Sequence, residues 1–337
     1  MSTLQWLREK TLLITGGTGS FGRWMTRTLV ERNLCRKIIV FSRDEFKQWE
    51  MRTHDPLLKS DKIRYFLGDI RDEHRLKLAL REVDIVIHTA ALKQVPAAEY
   101  NPDEFIKTNI QGTSNLIHAA LESNVERVLA LSTDKAVNPF NLYGTTKLCA
   151  EKLLTAANSY TGQRAQPRFS ILRYGNVLGS RGSLILKWKH CKRHGLPLPL
   201  TDRRMTRLWL TLDHAVEHVF RALTHMRGGE VFVPKSASLS LLEMAEILFP
   251  GHPIEEIGAR PGEKLHETLL GADEASHSID ADDTFLILPQ GKPAKWQLYP
   301  PNFGKPLERG FTYTSDTCER AFDGDLLRHW ASKMSHV

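Results

Sequence analysis

Short apolar runs alternating with stretches of helical spacing set the rhythm of the first half of the chain. Residues 12–15, 37–41, Ile63–Leu67, Ile85–His88, 128–132 and 169–173 are rich in Ile, Val, Leu and Phe, and Gly, Asp, Ser or Thr ends them. Continuous rather than alternating apolar character suits strands covered on both faces, as in a parallel sheet. Helical stretches between such strands imply right-handed crossovers and a doubly wound α/β sheet. After Tyr174 the rhythm breaks. Helical spacing returns in Leu212–His225, a strand is expected over 230–233, and a helix over 240–248 behind a Ser240 cap. Pro and Gly cluster over 250–262, which predicts a smaller, loop-rich unit. The expected division is a dinucleotide-binding domain over 1–175, completed by part of 208–235, and a smaller C-terminal substrate-binding domain from 176–207 and 236–337.

Composition narrows this picture in two ways. With 337 residues, 41% hydrophobic and 25% charged, the chain is an ordinary globular one, not a stapled module or a disordered chain. Cys35, Cys149, Cys191 and Cys318 lie far apart with no zinc-type spacing, so neither a disulfide framework nor a metal site is expected. The first ten residues carry no apolar leader and no run approaches a membrane span, which predicts a cytoplasmic, unanchored protein. The net charge of +7 is concentrated: eight bases and one acid, Asp202, fall between Arg181 and Arg207, and elsewhere the signs balance. A phosphorylated ligand, nucleic acid or an anionic membrane would each suit such a segment. No interleaved basic and aromatic residues accompany it, which disfavours nucleic acid.

Chemistry is expected just past the carboxyl ends of the strands, where open α/β sheets bind ligands. Strand one runs into Thr15-Gly16-Gly17-Thr18-Gly19-Ser20-Phe21-Gly22 and then a helical stretch over 23–32. Absent Cβ atoms there let backbone approach a pyrophosphate at a helix N-terminus; a tight turn without ligand is the plain alternative. Strand two ends in Ser42-Arg43-Asp44, with Lys47 one turn on. An acid there holds a ribose hydroxyl and an Arg accommodates a 2′-phosphate, so Arg43 and Lys47 favour NADP while Asp44 keeps NAD open. Asp69 and Ile70 after strand three are placed for the adenine, and Ala90 and Ala91 after strand four for the nicotinamide side.

Tyr143 and Lys147, at i and i+4, share one helix face, where an ammonium lowers the phenol toward the range of a base. Ser132-Thr133 closes strand five ten residues upstream, where a hydroxyl can bind the substrate oxygen being oxidised. Together with the glycine turn, these residues resemble the extended short-chain dehydrogenase/reductase family, with its Rossmann fold, from about residue 10 to at least 270. Thr133-Asp134-Lys135 sharpens the likeness. It is similar to the inverting UDP-N-acetylglucosamine 4,6-dehydratases, as are Ser42-Arg-Asp-Glu-Phe-Lys47, Ala91-Leu-Lys93, Arg173-Tyr-Gly-Asn-Val-Leu-Gly-Ser-Arg181, Met205-Thr-Arg207 and Arg260-Pro-Gly-Glu-Lys-Leu-His-Glu267. Gln94, where these enzymes commonly carry His, and residues 184–188 depart from the pattern.

The resemblance implies oxidation at C4 with Tyr143 as base, removal of the acidified C5 proton by a neutral Lys135, and proton donation from Asp134 to the leaving C6 hydroxyl. It also implies Asn109 and Val177 at the cofactor and Lys93 at cofactor and substrate. Asn176, Arg181, Thr206, Arg207, Arg260 and Glu263 would hold the UDP-sugar, and the protein would be a homo-oligomer. Two alternatives stay open: an epimerase or reductase on a similar nucleotide sugar, which does not need the Asp-Lys pair, and a non-catalytic NADP-binding regulator, which does not need Thr133, Tyr143 and Lys147 together.

Overall fold

A computed structural model describes residues 2–162, 166–180, 183–290, 299–300 and 303–333. Six strands, β1 (Thr11–Thr15), β2 (Lys37–Ser42), β3 (Ile63–Leu67), β4 (Ile85–His88), β5 (Arg127–Thr133) and β6 (Arg168–Tyr174), fall within one residue of the apolar runs. They pair in parallel in the order β3-β2-β1-β4-β5-β6, and Val231–Pro234 joins in parallel beyond β6. The order reverses between β1 and β4, which opens a crevice at that end of the sheet. Burial follows the two-residue period of a strand. Leu13, Ile39, Val86, Val128 and Phe169 enter one apolar cluster, and Leu12, Ile14, Ile38, Val40, Ile85 and Ile87 enter the other.

A third apolar cluster around Trp188, Trp209, Met244 and Trp330 forms the core of the smaller unit. Its strands are short: Asn176–Val177, Thr206–Leu210 and Ala237–Ser240 form one sheet, and Leu198–Leu200 pairs with Ile254–Glu256 inside the stretch expected to be loop. Ser240 caps the helix Leu241–Leu248 in a reciprocal box with Glu243. The helix after the glycine turn begins at Ser20, three residues earlier than the spacing suggested. Ser278–Ala281 and Thr284–Ile287, within the stretch assigned from sequence to the second unit, form a hairpin that extends the main sheet antiparallel past Val231–Pro234. All four cysteines are free thiols. Among the described residues no helix is long and apolar enough to cross a membrane.

Candidate active site

One cavity of about 800 Å³ runs from the glycine turn, across the carboxyl ends of the strands, to the smaller unit. The turn is shaped by steric need. Gly16 has φ +63°, and a Cβ on it would lie 2.8 Å from Ala90 Cα; a Cβ on Gly22 would lie 2.5 Å from Gly17 Cα. Thr18, Gly19, Ser20 and Phe21 line the same end with both glycines. Thr18 Oγ1 and Ser42 Oγ are 2.8 Å apart, tying the turn to the end of β2. Asp44 accepts the Lys47 amide at 2.9 Å as a helix cap and its carboxylate pairs with Lys47 Nζ at 2.6 Å, which holds its pKa below the usual carboxylate range. Arg43 is half exposed and reaches Asp69 at only 3.9 Å, while Asp69 pairs more closely with Arg71, at 2.8 Å. Ile70, Ala90, Ala91 and Lys93 continue the wall.

Around Tyr143 the geometry is set by two elements. Asn141 caps the helix Leu142–Ala157 by accepting the Gly144 amide at 2.8 Å. Gly144 lies against the turn that follows β5, so close that a Cβ would be 2.1 Å from the Lys135 carbonyl oxygen. The helix therefore presents Tyr143 and Lys147 beside Thr133 and Lys135, and all four line the cavity. Lys147 Nζ donates to the Leu131 carbonyl at 2.8 Å, and burial brings its pKa down to about 8. Tyr143 does not follow the expectation of a lowered phenol. Burial pushes it up to about 12, only partly offset by the Lys135 charge and Thr133.

Asp134 lies behind this wall rather than in it, fully enclosed, and its Oδ1 accepts Thr133 Oγ1 at 2.9 Å and Lys135 Nζ at 3.0 Å. Opposite stands Glu267, a residue that sequence spacing did not single out: its Oε1 is 3.0 Å from Lys135 Nζ and it lines the cavity. Burial opposes the Lys135 charge, but the carboxylates of Asp134 and Glu267 outweigh it and hold that ammonium above its usual range. Burial, then the neighbouring Asp134, raises Glu267.

The remaining expected residues divide. Asn176, Val177, Arg207, Arg260 and Glu263 line the cavity. Arg207 spends its guanidinium on backbone, donating to the carbonyls of Thr206, Leu265 and Lys264 at 2.7, 3.0 and 3.1 Å, so it fastens the segment leading to Glu267. Arg260 pairs loosely with Glu263, at 3.8 Å. Thr206 sits outside the wall, its hydroxyl 2.8 Å from His266 Nδ1 and 2.7 Å from Ser315 Oγ. Asn109 is buried beneath the wall and brackets Leu92, with its Oδ1 accepting that residue's amide and its Nδ2 donating to the carbonyl, both at 2.9 Å. Arg181 lies outside the described residues. Among the described residues no cluster of His, Cys, Asp and Glu is arranged for a metal ion.

Known proteins give this geometry a context. A family model described as polysaccharide biosynthesis protein matches residues 12–289. A UDP-N-acetylglucosamine 4,6-dehydratase (inverting) of Campylobacter jejuni is 46% identical, over 91% of this chain and 92% of its own. The X-ray structure of Pen from Bacillus thuringiensis superposes with a TM-score of 0.87 at 34% identity, covering 98% of this chain and 100% of that one. DesIV, a dTDP-glucose 4,6-dehydratase from Streptomyces venezuelae solved with NAD bound, gives a TM-score of 0.67 at 25% identity, over 76% of this chain and 86% of its own.

Proposed function

The chain belongs to the polysaccharide biosynthesis protein family, and we propose that it removes water from UDP-N-acetylglucosamine to give a 4-keto-6-deoxy sugar nucleotide inverted at C5. The observation that carries this reading is the charged cluster beside Tyr143: Lys135, 3.0 Å from both Asp134 and Glu267, in a wall that already holds a redox-type Thr133, Tyr143 and Lys147. Oxidation and reduction alone leave such a cluster without a task. Elimination needs a group that takes the C5 proton and one that protonates the C6 hydroxyl.

A nicotinamide dinucleotide fits the other end of the cavity. Its pyrophosphate matches the cradle that Cβ atoms at Gly16 and Gly22 would fill. Arg43, half exposed and 3.9 Å from Asp69, favours the 2′-phosphate of NADP, while Asp44, engaged with Lys47 as helix cap and ion-pair partner, is the less able to take a ribose hydroxyl. When bound, the oxidised cofactor supplies the electron-pair acceptor for C4–H, returns the pair to C6, and brings a positive charge that favours a tyrosinate.

The chain's own residues perform the rest. Tyr143 takes the C4 hydroxyl proton, with Thr133 at that oxygen and the Lys147 charge stabilising the phenolate. A ketone at C4 then makes the C5 proton acidic, and Lys135, as the neutral amine, removes it. Arg260, Glu263 and Lys187, which also line the cavity, would take the UDP moiety.

The test is incubation of the purified protein, loaded with NADP, with UDP-N-acetylglucosamine in deuterated water, followed by NMR. The expected product is a 4-keto-6-deoxy sugar carrying deuterium at an inverted C5, with no build-up of reduced cofactor. Interconversion of C4 epimers without loss of water would identify an epimerase instead.

A further inference from the structure

Asp134 and Glu267 flank Lys135 at the same distance, 3.0 Å, but they differ in position. Glu267 is part of the cavity wall and Asp134 is behind it. Asp134 Oδ1 is shared between Thr133 and Lys135, whereas the Glu267 carboxylate pairs, among the described residues, with Lys135. A second oxygen on each, Asp134 Oδ2 and Glu267 Oε2, is buried with no hydrogen-bond partner among the described residues. Buried polar atoms of this kind call for an explanation, and in the wall of a reaction site a ligand hydroxyl is the natural one. The Glu267 backbone is fixed for the purpose: its amide donates to Ser315 Oγ at 2.9 Å, and Arg207 holds the carbonyls just before it.

We propose that Glu267, not Asp134, is the carboxyl group that protonates the departing C6 hydroxyl, with a proton it receives from Lys135. This rests on the dehydration reading above and deepens it. The Lys135 ammonium passes a proton across the 3.0 Å contact to the Glu267 carboxylate, leaving an amine and a carboxylic acid. Substrate closing the cavity removes water from the ion pair, and the neutral pair is the cheaper state of two such groups out of water. The Asp134 charge raises the proton affinity of Glu267, against the opposing charges of Lys135 and Arg207, and that of Lys135 as well, so it is the removal of water by substrate that decides the transfer. Lys264 and Tyr143 also lie within electrostatic reach of the pair, and Lys93 within that of Lys135.

The amine then takes the C5 proton. The C5–H electron pair becomes the second bond between C5 and C6, the C6–O bond breaks, and its oxygen leaves as water with the Glu267 proton. Lys135 ends as ammonium and Glu267 as carboxylate, which is the starting state, so the pair completes the elimination without external acid or base.

Glu267→Gln keeps the shape and an acceptor for Lys135 but cannot hold the proton. With NADP and UDP-N-acetylglucosamine, this variant is expected to bind cofactor as the wild type does and to accumulate reduced cofactor as C4 is oxidised. Formation of the 4-keto-6-deoxy product should fall by about 100-fold or more. Glu267→Asp, which can carry the proton on a shorter arm, should recover part of that loss, and Asp134→Asn should cost less than Glu267→Gln. Product formation by Glu267→Gln within about tenfold of wild type overturns the assignment, as does an Asp variant no better than the Gln variant. So does an Asp134→Asn loss larger than that of Glu267→Gln, or loss of NADP binding in both Glu267 variants. A wild type that makes no such product overturns the dehydration reading itself, and the role of Glu267 with it.

Discussion

Lys147 shows what the site costs the protein. Its ammonium is buried against the Leu131 carbonyl, and burial, only partly offset by the Glu151 charge, lowers its pKa from 10.5 to about 8. At about 1.4 kcal/mol per tenfold change in proton affinity, that gap is worth about 3 kcal/mol. The sign follows from proton counts. Between about 8 and 10.5 the unfolded chain keeps a proton the folded one has lost, so folding gains as pH rises through that window, and below it the penalty stands in full. Lys147→Met should therefore raise stability at pH 7 by about 1–2 kcal/mol, the lost Leu131 contact taking back about 1 kcal/mol, while abolishing C4 oxidation. Thermal unfolding at pH 7 and pH 10 checks this, the gain shrinking at the higher value. At this scale Tyr143, Lys147, Thr133 and Lys135 were legible in the sequence because they sit within two adjacent elements. Glu267 was not, because only the fold brings it from the far end of the chain to Lys135, and no spacing rule spans that distance.

Among the elements, the first six strands could be read to within a residue because sheets covered on both faces demand uninterrupted apolar runs. The strands of the smaller unit could not. Leu198–Leu200 has a proline at its centre, and Ala237–Ser240 buries only Leu239, so neither is long or apolar enough to stand out from loop. What joins the two kinds of element is a buried ion cluster. Arg173, from β6, pairs with Glu151 at 2.7 Å and Glu274 at 2.8 Å and donates to the Leu269 carbonyl at 3.0 Å. It ties the Tyr143 helix and the segment after Glu267 to the main sheet. Arg173→Leu strands the Glu151 carboxylate in the interior and unpairs the partly buried Glu274, and should cost about 3–5 kcal/mol, the range for breaking one partner out of a buried pair. Urea denaturation at pH 7 measures it, and Glu151→Gln added to Arg173→Leu should return part of the loss.

For the molecule as a whole, the sequence suggested two units and said little about the chain beyond 270. That region completes the structure: the hairpin of Ser278–Ala281 and Thr284–Ile287 extends the main sheet, and Tyr313–Thr314 pairs with Thr268–Leu270, next to Glu267. A chain ended after residue 275 should lose cooperative unfolding altogether, as monitored by circular dichroism in urea, because it exposes the edge of Val231–Pro234 and frees the Glu267 segment. The basic excess of the 181–207 stretch also resolves mostly into internal contacts. Arg204 pairs with Asp202, Arg203 with Glu256, Lys189 donates to the Ala331 carbonyl and Lys192 sits over the Phe249 ring. Lys187 and Arg207 of this group reach the cavity wall.

Gly144 has a meaning for how such a protein changes over generations. The Lys135 carbonyl occupies the place where a side chain would begin, so the helix bearing the Tyr143 phenol and the turn bearing the Lys135 amine are locked to one spacing. Wall positions such as Gln94 and Leu184 can drift one at a time and retune which sugar enters. The phenol and the amine cannot drift apart in this way: a substitution that adds a side chain at Gly144 would displace both at once.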